Sequence, residues 1–528
     1  MLVKGDGTEL GAADYDVEYF NNEGFGEGGA RVVGKGAYAG VYGEAYFKIY
    51  SPRGGGSRDV YLLLGGANMS GRGAAMDAYA VDLAGIEMLN ASGEWVAASE
   101  PIHFDSGAAT GPAASFARIL ANAGESAATV SLVPCAVGNS TIASWEPGSG
   151  ANYAAAVERA RLALADGGGC IRAILWGHGE KEVAASPLDP DGYCAALGRI
   201  ASALRADLNL FETIPFIVST EVEAPGYSGY RNAVNFNKAL RALPRSVVGC
   251  TVVEARDLIP NADRLTFRTE AVRTLGERYA AAFFDWERAC AGRRMSVAFL
   301  EPQAISDDDV VAPPVRVTDV ETGLSVDPSA YEVAYRGNTS AGYGVAVVTG
   351  KGAYAGETAY AGFRIHRPVF AAPEASGLGD GSSWANAAAF DDAMALAGET
   401  NEVWLLAGTY LRTAEHLMAS SCFVRGGYRG VAGELAALGV DKKNPYFNAI
   451  MKWFEENDFA DDTIRLGHWR GHDGAPEHTE ELGLNYHYWL DLDPTCGGWE
   501  LWGGMGDKPG TGKPGLGPVN CEVIRTNQ

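Results

Sequence analysis

The sequence predicts a multidomain chain: a central three-layer α/β domain with a parallel sheet, small all-β repeat modules flanking it, and a mixed C-terminal region. Three observations carry this. From about residue 58 to 290, short apolar runs ending in Gly alternate with helical stretches, the pattern of parallel strands covered by helices on both faces. A Tyr/Val alternation closed by Gly-Lys-Gly-Ala-Tyr-Ala-Gly occurs twice without gaps, ending at Gly34–Gly40 and again at Gly350–Gly356, which means two copies of one β-module. A length of 528 residues exceeds what a single core supports.

Residues 1–51 form the first repeat. Tyr15, Val17 and Tyr19 alternate with Asp16, Glu18 and Phe20, the period of a half-buried strand. Asn21-Asn22-Glu23-Gly24 supplies a turn, and a last alternating run reaches Phe47 and Ile49. No titratable cluster accompanies these strands, so a spacer or adhesion role is expected rather than catalysis.

The central domain, 58–290, opens on Val60 to Leu64, an uncharged run that enters Gly65-Gly66. Further strands are expected at Thr129–Cys135, Ile171–Trp176, Pro215–Ser219 and Val248–Val253, giving a five-stranded parallel sheet. Helices are expected at Gly111–Leu120, with Pro112 in its first turn, and at Tyr153–Ala165, Gly192–Ala206, Arg231–Leu243 and Thr269–Phe284. Right-handed crossovers place helices on both faces of such a sheet, and the chemistry at the carboxyl ends of its strands.

Residues 310–368 carry the second repeat, from Pro313-Pro314 through Tyr331, Val333 and Tyr335 to Phe363 and Ile365. Residues 369–430 contain Gly379-Asp380-Gly381-Ser382-Ser383-Trp384 and two apolar runs, Val403–Tyr410 and Phe423–Tyr428. Residues 431–528 form an aromatic-rich tail with Trp489, Trp499 and Trp502, and a flexible linker is expected at Gly506–Gly517. His468, His472 and His478 lie in a Gly/Arg/Asp-rich stretch without HExxH spacing, so no metal and no cofactor is expected.

Composition narrows the partners. The formal net charge is −24, which repels a nucleic-acid backbone and suits neutral or cationic ligands. No run of 18 apolar residues occurs, so no membrane span is expected. The eight cysteines show neither CxxC nor zinc spacing, and Cys135 and Cys170 read as small buried thiols. Met1-Leu2-Val3-Lys4 has no hydrophobic signal core, and because the chain starts inside a repeat, a lost upstream segment is expected.

Several words of the central domain, in order, resemble the SGNH hydrolases and, more closely, the sialate O-acetylesterase-like carbohydrate esterases. They are Gly65-Gly66-Ala67-Asn68-Met69, Val133-Pro134-Cys135-Ala136-Val137-Gly138, Ile174-Leu175-Trp176-Gly177-His178-Gly179-Glu180 and Asp263-Arg264-Leu265-Thr266-Phe267. Pro101-Ile102-His103-Phe104-Asp105 and Ser115-Phe116-Ala117-Arg118 also sit where that family has similar words. The repeats resemble the immunoglobulin-like repeats of bacterial surface proteins, and residues 369–430 the opening of a pectate-lyase-like β-helix. The resemblance implies an SGNH-like fold, an acetylated polysaccharide or glycan as ligand, and an extracellular or cell-surface location. It also implies a Ser nucleophile, a His base and an Asp that orients the base, with backbone N–H groups and Gly and Asn or Gln side chains forming an oxyanion hole.

Here the family's nucleophile position is Ala67 and its base position is Thr266, while the triad acid is retained as Asp263. Gly66, Asn68, Gly138, Asn139, His178 and Glu180 fall at the positions that line the oxyanion and substrate wall. A methyl group cannot attack an ester, and no histidine occurs between Cys250 and Cys290. The expectation is therefore a catalytically impaired, glycan-binding member of a hydrolase family. The alternative is an active esterase that deacetylates O-acetylated glycans or sialic acids through a rearranged site. Ser70 reads as a turn cap, His178 as a structural or ligand-contacting imidazole, Asp263 as a cap of the last helix, and Glu180 as a hydrogen-bond partner of the loop at Asn68.

Overall fold

The computed structural model describes residues 10–22, 26–49, 56–75, 79–185, 187–224, 227–300, 302–305, 310–397 and 402–406, together with strand segments at 408–412, 423–428, 469–470, 489–493, 498–502 and 521–525. The N-terminal sheet contains β1 (Tyr15–Phe20), β2 (Gly26–Gly34) and β3 (Tyr42–Ile49), antiparallel and adjacent in that order. Tyr15 pairs with Gly34 and Tyr19 with Ala30.

The central sheet is built from β4 (Arg58–Gly65), β5 (Glu87–Leu89), β6 (Trp95–Ala97), β7 (Thr129–Pro134), β8 (Gly169–Gly177), β9 (Phe216–Ser219) and β10 (Cys250–Val253). Its order is β10-β9-β8-β4-β7-β5-β6. All neighbours are parallel except the β5–β6 pair. Seven strands thus replace the five expected. The two extra strands are only three residues each, too short for an apolar run to mark them as strands. Their hairpin is set by Asn90, whose side-chain oxygen accepts from the Ser92 and Glu94 N–H groups at 2.9 Å, an Asx-type turn.

Helices cover both faces. On one side α2 (Ala113–Ala123) and α7 (Thr269–Cys290) pack with Tyr61, Leu63, Leu132, Leu175 and Ile217. On the other, α3 (Ala151–Leu164), α5 (Pro190–Asp207) and α6 (Tyr230–Leu240) pack with Val60, Leu62, Leu64, Ile174, Trp176 and Phe216. A register shift between β4 and β8 lies where Val60 faces Ile171 and Tyr61 faces Ala173. Arg172 is the extra residue, and its guanidinium pairs with Asp59 at 2.9 Å and Glu287 at 3.3 Å, so the bulge places one charge in a matched cluster.

The second repeat packs against the central domain. The chain after α7 forms β11 (Met295–Val297), β12 (Gln303–Ala304) and β13 (Val317–Asp319), then β14 (Tyr331–Arg336), β15 (Gly342–Gly350) and β16 (Thr358–His366). Its sheet runs β12-β16-β15-β14, with β11 and β13 paired separately. One face docks on the central domain: Tyr343, Val345 and Val347 share a core with Phe116, Ile119 and Phe284. Polar contacts fix the join, with Asn122 donating to the Tyr343 carbonyl at 2.6 Å and Arg364 to Glu277 at 2.7 Å. The cause is in β15, where Tyr343, Val345 and Val347 face the helices while Val348 faces the other core. A strand apolar on both sides needs a layer on each.

Beyond it, β17 (Val369–Ala371), β18 (Glu402–Leu406) and the strand Phe423–Tyr428 lie parallel in sequence order. His468, His472, His478 and Gly506–Gly517 lie outside the described residues, as do the side chains of Trp489, Trp499 and Trp502. Among the described residues no helix is long and apolar enough to cross a membrane.

Candidate functional site

The turn after β4 is shaped by two glycines. Gly65 has φ +133°, and a Cβ there would meet the Gly177 carbonyl oxygen at 2.1 Å. Gly66 donates to that same oxygen at 2.7 Å. This close approach joins the ends of β4 and β8 and lets α1 (Ala67–Ser70) start at the carboxyl edge of the sheet. Ala67 is its first residue and is buried. Ser70 is buried too; its hydroxyl accepts from Arg72 at 2.7 Å and reaches the Ala67 carbonyl at 3.4 Å.

Asn68 ties the blocks together. Its backbone N–H donates to Glu180 at 2.5 Å. Its side-chain amide donates to Glu221 at 3.0 Å and to the Leu265 carbonyl at 3.2 Å, and its side-chain oxygen accepts from the Phe267 N–H at 3.1 Å. Thr266 therefore sits between two residues held by Asn68, next to the β4 turn. Val137 donates to the Gly65 carbonyl at 2.9 Å, which draws Gly138 to the same edge, and Lys181 donates to the Asn139 carbonyl at 3.3 Å. The ends of β4, β7 and β8 and the loop before α7 thus converge.

Glu180 and Glu221 are both fully enclosed around Asn68. Burial raises the Glu221 carboxyl well above the ordinary range, and the neighbouring Glu180 charge raises it further. Burial also raises Glu180, opposed by the N–H groups of Asn68, Glu180 and Gly179. Glu221 has one carboxylate oxygen without a hydrogen bond, whereas Glu180 receives Asn68 and Gly179. The proton of the pair therefore resides on Glu221.

Asp263 has no imidazole to orient. One carboxylate oxygen accepts from the Leu265 and Thr266 N–H groups at 3.0 and 2.9 Å, and the other from the Thr266 hydroxyl at 2.7 Å. Asn261 donates to that hydroxyl at 3.0 Å. Asp263 does not cap the last helix as expected: α7 begins at Thr269, after Arg268, and Asp263 instead closes its own loop.

His178 is also placed differently from the expected wall position. Its ring is fully buried, stacks on Tyr193 with centroids 5.9 Å apart, and has Nδ1 3.1 Å from the Tyr193 hydroxyl. That hydroxyl donates to the His178 carbonyl at 2.8 Å and accepts from Trp176 at 3.0 Å. Burial lowers the ring to about 3, so it is neutral at pH 7. The ring is held between β8 and α5, because aromatic Trp176 and Tyr193 attract it away from the edge.

The Gly138 N–H, a candidate oxyanion donor, already bonds Asp105 at 3.2 Å, and Arg72 pairs with the same carboxylate oxygen at 2.7 Å. Sequence reasoning missed Glu221, Arg72 and Asn261 as parts of this constellation. Glu221 was findable: Ser219-Thr220-Glu221 follows β9 directly, at the same end of the sheet as the other blocks. Among the described residues no group of three or more His, Cys, Asp or Glu could hold a metal ion.

A parallel sheet flanked by helices, with Gly-Asn, Gly-Glu and Asp-containing loops meeting at one edge, is the scaffold of an esterase-type α/β domain. The family model described as carbohydrate esterase, sialic acid-specific acetylesterase matches residues 57–285. A probable carbohydrate esterase of Arabidopsis thaliana is 32% identical over 245 residues, spanning 43% of this chain and 90% of the relative. The chain belongs to this carbohydrate esterase family. A solved Arabidopsis thaliana structure is 29% identical, covering 44% of this chain and 99% of the other, with a TM-score of 0.38. A carbohydrate acetylesterase of Xanthomonas citri is 15% identical, covering 62% and 68%, with a TM-score of 0.32.

Proposed function

We propose that the central domain is a three-layer SGNH-like carbohydrate esterase that binds acetylated glycan without hydrolysing it at a significant rate. The observation that carries this is the loop at Thr266. Its hydroxyl is hydrogen-bonded to Asp263, where the family's resemblance calls for an imidazole, while the nucleophile position presents the Ala67 methyl. A hydroxyl bonded to a carboxylate offers no base near pH 7, and among the described residues no neighbouring group stands in for the nucleophile. Ser70 is buried and bonded to Arg72, and His178 is buried and neutral. The ligand class follows from family membership and from the net charge of −24, which disfavours polyanions. Residues 1–51 and 310–368 then act as surface-protein repeats and 369–430 as a β-helix start, on a secreted or cell-surface protein.

The experiment is p-nitrophenyl acetate hydrolysis by the parent, Ala67→Ser, Thr266→His and the double variant. In a triad that acts as a unit, losing Ser or His alone costs about a millionfold in kcat. The parent and both single variants should be near background, and the double variant measurably above it, though below an intact family member because Gly138 is engaged by Asp105. Parent hydrolysis at the rate of an active esterase, unchanged by Asp263→Ala, would place the chemistry elsewhere.

A further inference from the structure

The two repeats share one face and differ on the other. In β14–β16 the face made by Tyr331, Val333, Tyr335, Val348, Phe363 and Ile365 is covered by the chain segment that precedes it. Met295, Val317 and Val326 pack on Tyr331 and Val348, and Ile305 and Val311 on Phe363 and Ile365. The same segment extends the sheet, Gln303 and Ala304 pairing parallel with Ile365 and His366 at the edge of β16. Covered in this way, Phe363 and Ile365 are each 1% exposed and Val348 is 0%.

The N-terminal sheet has the same register: Tyr15 pairs with Gly34 as Tyr331 pairs with Gly350, and Tyr19 with Ala30 as Tyr335 with Ala346. Position by position, its corresponding face is Tyr15, Val17, Tyr19, Val32, Phe47 and Ile49, identical in type at all these places. The opposite face is not kept. Val347, buried against α2, corresponds to Arg31, and Tyr360 to Glu44, and these two form an ion pair in the N-terminal copy. One face has changed its residues, with the Arg31–Glu44 ion pair beside Tyr42 and Tyr46, while the other retains every anchor, yet Val17, Tyr19 and Phe47 are 42%, 61% and 40% exposed. Exposed apolar surface of this kind, beside a β3 edge that pairs with no further strand among the described residues, marks an interaction surface.

We infer that this face of β1–β3 is a docking surface for an extended polypeptide segment with aliphatic anchors, of the kind the chain itself lays over its second repeat at Met295–Val326. The segment adds a short strand to the β3 edge and covers Val17, Tyr19 and Phe47, so backbone pairing and side-chain burial act together. The positions that would receive it are those already filled in the second repeat.

The test uses the full chain and, as probe, a fluorescein-labelled synthetic peptide with the sequence of residues 294–327. Fluorescence anisotropy should show saturable one-to-one binding, and amide exchange should show new protection in β1 and β3. Tyr19→Ser and Phe47→Ser should weaken binding by about tenfold or more, whereas Tyr42→Ser, on the opposite face beside Arg31, should leave it unchanged. Val17→Lys, which keeps an exposed strand position but sets a charge in the contact, should weaken binding even if Phe47→Ser loosens the sheet. Absence of saturable binding, binding insensitive to Tyr19 and Val17, or protection only at 331–366 would overturn the proposal. So would self-association lost in Tyr19→Ser with no binding of the peptide, since the face would then belong to a second copy.

Discussion

Asn68 joins four groups from three parts of the chain, and two of its partners lie on either side of Thr266. The loop at Thr266 is thereby tied to the turn after β4. The buried pair beside it has a measurable signature. Glu221 has a raised folded-state pKa, so its contribution to stability is fully present below the ordinary carboxylate value of 4.5 and is lost as pH rises towards the raised value. His178 and His103 act in the opposite sense: burial lowers them to about 3 and about 4, so stability rises with pH up to their ordinary value of 6.5. Glu221→Gln should remove the first effect and spare the second. Urea unfolding between pH 4 and 8 should show the variant gaining on the parent as pH rises; parallel curves would mean that Glu221 is not the proton carrier. The placement of Ala67 and Thr266 at the sheet edge was legible at this scale, since both stand inside recognisable words. The position of His178 was not, because it depends on Tyr193, which reaches it only through the packing of α5 on β8.

Among the elements, α7 is a helix of 22 residues. It lies against α2 through Gly276, where an added Cβ would stand 2.0 Å from the Ser115 hydroxyl and 2.2 Å from the Pro112 carbonyl. Gly276→Ala should therefore push α7 away from α2 and lower stability by about 1–3 kcal/mol, read as a fall in melting temperature. An unchanged melting temperature would show that the contact yields freely. The five long strands and the five helices around them were readable, because each couples an apolar run or a helical period to a Gly or Pro boundary. Helix α7 extends to Cys290, beyond the expected Phe284, and its last turns still hold the central domain: Trp286 donates to the Thr213 carbonyl at 2.7 Å and Glu287 pairs with Arg172 at 3.3 Å. Strands β5 and β6 were not readable: Glu87-Met88-Leu89 is a strand because it pairs with the β7 edge, and Trp95-Val96-Ala97 because it pairs with β5.

For the whole molecule, the boundary at 290 suggested by the sequence cuts through a shared core. Phe284 and Tyr360 have ring centroids 5.0 Å apart, and Tyr343, Val345 and Val347 fill the outer side of α2. A chain trimmed to residues 57–290 should expose this surface, bind a hydrophobic dye and melt earlier than one trimmed to 57–366; equal melting temperatures would contradict the shared core. Pattern alone could not reveal the join, because an alternating strand looks the same whether its second face meets water or a helix. The central claim is that this family member holds acetylated glycan and leaves the ester intact. It is tested most directly by acetate release from acetylated xylan and O-acetylated sialic acid, with retention of the chain on the same acetylated xylan measured in parallel. The account predicts retention that is lost when the xylan is deacetylated, with no acetate above the spontaneous rate. Acetate released at the rate of an active carbohydrate esterase would contradict it.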